Sequence, residues 1–345
     1  MAQKSRSKKI ERQILRDVRH HPKDIVKHIG EIFNISRQAV NKHIQKLIRE
    51  QRLDAEGSTR SRTYMLGPIK ENLFSFDLKG IPNESRIYLE HFSWLFEDVA
   101  KNVEDIIFYG FAEIVNNAID HSDGTSCTIL IEKDLDTVAI QIIDDGEGIF
   151  RRIKRLSDLE DERQAILELS KGKFTTDPQN HSGQGIFFAS RMFDRFVIES
   201  KGLAFSHQDG DKFDLFDEIA DEFKSLGTAI FMQIALNSKR TDKQVFDEYT
   251  ASEDEDFAFN RTVIPVRLAR MGQEQLVSRS QAKRLLSRIE NFKYVAFDFN
   301  GVFRIGQAFA DEIFRVYTLR YPEVIIQAIN TNIEIDKMIK RTKSS

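Results

Sequence analysis

The chain of 345 residues contains a single cysteine, Cys127, which excludes an internal disulfide and any multi-cysteine zinc site. It has no apolar run approaching the ~20 residues that span a bilayer, so no membrane partner is expected. The first nine residues are basic but lead into no apolar stretch of the secretory kind. No internal repeat is present. Together these absences predict a cytoplasmic protein. The chain is too long for one ordinary core, so two or three domains are expected. Its composition, 41% hydrophobic and 30% charged, is that of an ordinary globular protein.

The net charge of −3 is unevenly spread. Residues 1–70 hold 17 Lys and Arg against 7 Asp and Glu, a net of +10, and the remainder holds 34 against 47, a net of −13. A basic module on an acidic body suggests a polyanionic partner for the N-terminal part, although a solvated charged arm has the same composition.

Residues 7–20 read as a helix with Ile10, Ile14, Leu15 and Val18 on one face. Pro22 opens a second, with Ile25, Ile29 and Ile32 inward. Asn34, Ile35 and Ser36 form a turn ending in a helix N-cap, and a third helix follows with Val40, Ile44, Leu47 and Ile48 inward. Residues 53–65 alternate around Gly57 as a small hairpin. A second segment, 71–237, mixes helix (94–120) with strands (128–132, 138–143, 196–200 and 228–234). Residues 238–262 read as an acidic connection, and 263–345 as a small α/β domain with helices at 281–291 and 307–319 and strands at 294–299 and 324–329. The fold class expected is α+β multidomain.

Four motifs in the second segment carry chemistry. Glu113, Asn117 and Asp120 recur at i, i+4 and i+7, on one helical face. Carboxylate, amide and carboxylate in a row suit Mg²⁺, which takes oxygen ligands, but they also suit a polar solvent face. Asp144, Asp145, Gly146, Glu147, Gly148 and Ile149 follow a strand directly. A carboxylate there could accept from an amino group, and glycines allow close backbone approach; an acidic turn looks the same. Gly183 and Gly185 precede an apolar helical run, where free N–H groups make a phosphate site. Gly227 and Thr228 open a late strand.

Read together, these motifs resemble the Bergerat-fold ATPases, the group that includes gyrase, heat-shock chaperones, histidine kinases and MutL. Order and spacing match over some 140 residues, from Glu113 and Asn117 through Asp144, Gly146 and Gly148 to Gly183, Gly185, Gly227 and Thr228. The resemblance implies an α/β sandwich, a helical layer on a mixed sheet, binding ATP with Mg²⁺. Asn117 would hold the metal and Asp144 the adenine. Asp120, Gly146, Gly148, Ile149, Gly183, Gly185 and Thr228 would complete the nucleotide site, and Glu113 would be the general base. Residues 151–180 would be the ATP lid, with Lys171 and Lys173 in it. His181 and Ser182 stand where the family has a further glycine. No helix carries a phospho-accepting histidine of the sensor-kinase type.

The basic module resembles a winged helix-turn-helix. Arg37, Gln38, Asn41, Lys42 and Lys46 would face a DNA major groove, and Arg60 and Arg62 would form a basic wing tip. The same fold also serves protein docking. Residues 263–345 resemble a STAS-type domain, most clearly in the stretch 294–330, and suit a protein partner, but Phe303, Arg304, Ile305, Gly306 and Gln307 supply no phosphorylatable serine. The expected function is an ATP-responsive, slowly hydrolysing DNA-binding regulator. The alternative is a protein serine or histidine kinase, or an ATPase, of the anti-sigma-factor-kinase type with the winged helix as docking module. Dimerisation of the chain would imply a DNA site of two half-sites.

Overall fold

The computed structural model describes residues 2–58, 61–80, 83–174, 183–208, 215–218, 227–250, 259–270 and 275–343. Three helices open the chain: α1 (Ala2–Asp17), α2 (Ile25–Phe33) and α3 (Arg37–Arg49), followed by the hairpin of β1 (Leu53–Glu56) and β2 (Thr63–Leu66). Ile10 and Ile14 of α1, with Val18 just past its end, meet Ile25 and Ile29 of α2 and Val40, Ile44 and Leu47 of α3 in a core of their own. Between α2 and α3, Asn34 adopts the left-handed conformation and its N–H caps Gly30, while the Ser36 hydroxyl accepts from the Ala39 N–H at 3.2 Å. Ile32, expected inward, is 49% exposed. Phe33 packs against the core in its place.

Strand β3 (Lys70–Asp77) leads directly into a seven-stranded sheet of order β3-β4-β5-β9-β6-β7-β8, with β4 (Ser126–Lys133), β5 (Thr137–Asp144), β6 (Arg195–Ser200), β7 (Leu203–Gln208), β8 (Leu215–Glu218) and β9 (Thr228–Ala235). Every pairing in it is antiparallel, where a mixed sheet was expected. Burial alternates along β5 and β9, so one face carries the core. On that face lie α5 (Lys101–His121), reached through the short α4 (Glu84–Ile87), and α8 (Gly185–Met192). The helices α6 (Ile149–Leu156) and α7 (Glu162–Lys171) lie between β5 and α8 in sequence.

Part of the expected acidic connection, residues 242–249, forms α9 (Asp242–Tyr249), with a capping box at Thr241 and Gln244. The helix packs on the helical layer of the seven-stranded sheet: Phe246 meets Phe188 at 4.6 Å between ring centroids and Tyr109 at 5.6 Å. The C-terminal segment is a parallel sheet, β10-β11-β12, made of β10 (Arg261–Pro265), β11 (Tyr294–Asp298) and β12 (Ile325–Ile329). Its crossovers are α10 (Arg279–Leu286) and a longer helical passage through α11 (Gln307–Asp311) and α12 (Thr318–Arg320), and α13 (Ile333–Lys343) closes it. Its buried residues, Phe297 and Phe309 among them, belong to one core with those of the large sheet, joined through Phe259 and Phe292.

Candidate functional site

Period-two alternation decides which carboxylate of the acidic run matters. Val138, Ile140 and Ile142 are buried on the helical face of β5, and Asp144 shares their parity. Its side chain therefore turns toward the helices at the strand's end, 9% exposed. One carboxylate oxygen accepts the Gly146 N–H at 2.9 Å and the Thr228 N–H at 3.1 Å. Burial pushes its carboxyl above the ordinary range, against the pull of those two donors. Asp145, of opposite parity, is used up in the loop. It accepts from the backbone N–H and hydroxyl of both Thr125 and Ser126, which hold it well below the usual carboxylate range. Glu147 is clamped by both arms of Arg155 at 2.8 and 2.6 Å. Only Asp144 of the three lines the cleft between α5, α6 and the β5 and β9 ends.

On α5 the i, i+4, i+7 row is split by its neighbours. Asn117 lines the cleft together with Ile114, Ala118 and His121. Glu113 sits one turn earlier, and its carboxylate lies against Gly185, where any side chain would come within 1.8 Å of Glu113 Oε2. Glu113 thus occupies the start of α8, where helix N–H groups favour negative charge. Asp120 is exposed and is not part of the cleft wall. Among the glycines, Gly148 and Gly183 line the cleft, with Gly148 at φ 96°, a conformation only glycine adopts easily. Gly146 and Gly185 stand behind the wall, close against the Ser122 carbonyl and Glu113. Ile149 and Thr228 line it and are joined: the Ile149 N–H donates to Thr228 Oγ1 at 3.0 Å.

The cleft has further walls that motif reading did not find. Ser122 lies at its floor, Arg152 and Ile153 enter from α6, and Leu169 and Phe174 come from α7 and its exit. Ile142 and Ile230 were available from the parity argument; Leu169 and Phe174 carry no motif. Arg152 is ion-paired to Asp123. Residues 175–182, which comprise the end of the expected lid and, after it, His181 and Ser182, lie outside the described residues. The apolar walls fit a planar base, and the second oxygen of Asp144 can accept from an exocyclic amine. Among the described residues there is no cluster of three or more His, Cys, Asp or Glu that could hold a metal. Asn117, which lines the cleft, carries an amide oxygen that could hold Mg²⁺, a metal that takes few protein ligands and shares phosphate oxygens.

On the N-terminal module, Arg37, Gln38, Asn41 and Lys42 are all exposed on the outer face of α3. Lys46 is turned aside, its ammonium 2.8 Å from the buried carboxylate of Glu11, which also holds His43 at 3.0 Å. Burial would raise the Glu11 carboxyl, but hydrogen bonds from Lys46, His43 and Ser7 outweigh it and keep it below the usual range. Arg62 is exposed beside the Tyr64 ring; Arg60 lies outside the described residues.

Comparison with known families agrees with this geometry over two stretches. Residues 102–214 match the family of histidine kinase-, DNA gyrase B- and HSP90-like ATPases, so the chain carries a GHKL-type ATPase domain built around the cleft. Residues 281–337 match a STAS-like domain of unknown function, which makes the C-terminal unit a domain of that kind. No curated protein and no solved structure matches the chain. Among the described residues no helix is long and apolar enough to cross a membrane.

Proposed function

We propose that the chain is an ATP-binding, slowly hydrolysing DNA-binding regulator whose nucleotide state controls its hold on DNA or on a partner. The observation that carries this reading is the outer face of α3. Arg37, Gln38, Asn41 and Lys42 stand exposed there, on a module of net charge +10, in a chain that also holds a GHKL-type ATPase domain. In this reading the three helices and hairpin are a winged helix-turn-helix. Arg37, Gln38 and Asn41 read base edges, and Lys42, Arg60 and Arg62 contact phosphates. Lys46 contributes little, because Glu11 already holds it.

In the cleft, Asp144 accepts from the adenine amine, Asn117 offers its amide oxygen to Mg²⁺, and the backbone around Gly183 and Gly185 receives the phosphates. Glu113 is the base that takes the proton from the attacking hydroxyl or water. Its place beside Gly185, one turn from Asn117, supports that role. The metal, when bound, neutralises phosphate charge. ATP shifts DNA binding only as far as it binds the two arrangements of the chain unequally.

The test is selection by the full-length protein from random duplexes, followed by binding at varied salt with and without ATP and Mg²⁺. Enrichment of a sequence, with affinity falling steeply as salt rises, is expected. No enrichment and no salt dependence would sink the regulator reading. Labelled phosphate from ATP ending on protein would instead make the chain a kinase with the N-terminal module for docking. Glu113→Ala should keep ATP binding and lose ~10²–10⁴-fold in phosphate release; Asn117→Ala and Asp144→Ala should lose the binding itself.

A further inference from the structure

One strip of the ATPase domain, residues 168–174, touches the cleft with one side and the STAS-like domain with the other. Leu169 and Phe174 line the cleft. Between them, the Lys171 ammonium is fully buried, and its three hydrogens have three acceptors: Glu168 Oε1 at 2.7 Å and the carbonyls of Arg284 and Ser287, each at 2.9 Å. The Lys171 carbonyl accepts from Thr262 Oγ1 at 2.7 Å. Lys173 donates to the Asn291 carbonyl at 2.7 Å and stands 4.8 Å from the Phe292 ring centroid. The strip is thus fixed by the stretch 284–292, at the break between α10 and the turn after it.

Arg288 occupies that break in the left-handed conformation, φ 61°. Its guanidinium lies 4.9 Å from the centroid of Phe174, a wall of the cleft, while its Nη2 reaches Ser157 Oγ, at the end of α6, at 3.5 Å. A residue of one domain therefore backs an aromatic ring that faces the ligand space of the other. The same residue touches the end of the helix that supplies Arg152 and Ile153 to the cleft. Removing the guanidinium leaves Phe174 free to turn out of the wall, at no cost to the groups that face the nucleotide directly.

We propose that Arg288 of the STAS-like domain is a positioning residue for the nucleotide cleft, so that the ATP site is a product of both domains and its occupancy is felt at the α10 break. This rests on the cleft being the ATP site. It makes the C-terminal domain part of the nucleotide response, where a separately tethered effector would be indifferent to it. By reciprocity, a partner that moves the α10 break alters ATP affinity as much as ATP alters the partner's.

The test uses the full-length protein in calorimetric titration with ATP and Mg²⁺, unfolding without nucleotide, and amide exchange across residues 284–292. Arg288→Ala should weaken ATP about 3- to 30-fold, the worth of one partly desolvated cation over an aromatic ring. Arg288→Lys keeps a cation there and should recover most of that loss. Arg279→Ala, which removes an exposed pairing with Asp311 in the same domain, should leave ATP affinity unchanged. ATP should slow exchange at 284–292 in the wild type and fail to do so in Arg288→Ala. Unchanged ATP affinity in Arg288→Ala, with lowered stability or without it, would overturn the proposal and leave Arg288 as interdomain packing. A wild type that binds no ATP would remove the cleft assignment, and the proposal with it.

Discussion

Where the ATPase domain meets the N-terminal module it is held by charge near water; where it meets the STAS-like domain it is held by packed rings and the hydrogen bonds of a buried lysine. At the first joint Glu71 is ion-paired with Arg12 at 3.3 Å and with Arg52 at 2.6 Å, Arg19 pairs with Glu97 at 2.6 Å, and the Arg19 guanidinium lies over Trp94. Each side of that joint keeps its own core. At the second, Phe187, Phe188, Phe259 and Phe292 form a chain of ring contacts at 4.9–5.4 Å, and the two domains share one core. Charged contacts near water contribute little and weaken with salt, whereas buried apolar area does neither. The difference teaches that the N-terminal module can change its seat while both domains stay folded, and that the STAS-like domain cannot.

The sharpest way to break this contrast is Phe259→Ala. It should cost the fused body ~3–5 kcal/mol, as large-to-small core changes do, and leave the N-terminal module's own transition where it was. Calorimetric unfolding showing separate ATPase and STAS-like transitions in the wild type would refute the shared core. A smaller effect is expected inside the N-terminal module. Glu11→Gln weakens three hydrogen bonds to a buried carboxylate and should lower that module's stability by ~1–3 kcal/mol at neutral pH. The sign with pH follows from the lowered carboxyl. Its folded-state value lies below the unfolded one, so the stabilisation is complete above ~pH 5 and fades as pH falls through the carboxylate range. Acid titration of the N-terminal transition should flatten in Glu11→Gln; an equally steep loss would mean other carboxylates carry it.

At the first joint, Glu71→Ala should cost ~1 kcal/mol or less, read as faster amide exchange along β3 with no change in the fused body. The smallest effect is salt. Raising it from 0.1 to 1 M shortens the screening length from ~10 to ~3 Å, and it should loosen the first joint by a few tenths of a kcal/mol and leave the second alone. Interdomain distances measured by paired spin labels would show a broadened first distance; broadening of the second instead would reverse the comparison.

Much of the site was legible in the sequence because it is local. Strand parity places Asp144, helical spacing aligns Glu113 with Asn117, and Ser36 announces α3. What was not legible depends on contacts far apart in sequence. Lys46 reads as an exposed base on α3, yet Glu11, 35 residues earlier, claims it. Lys171 reads as a lid lysine, yet carbonyls 113 and 116 residues later enclose it. Strand β3 passed unread because its buried face, Phe74 and Phe76, is only partly covered, and an edge strand needs little apolar alternation. Residues 242–249 read as a connection by their charge, while Val245, Phe246 and Tyr249 seat α9 on the core.

Strand β3 also decides how the molecule bears a pull. The N-terminal module is tied to the rest of the chain at Lys70, the first rung of the β3–β4 ladder, opposite Lys133. Those two like charges face each other and are tethered by one carboxylate, Asp98, at 3.2 Å from the first and 2.6 Å from the second. A tension applied to the module arrives at the end of an edge strand of the large sheet. It would part the rungs one after another, the easy direction for a ladder, and not shear them together. Asp98 is the rivet at the top of that seam, and it bears the load together with the arginine pairs of the first joint before any of the large core is reached.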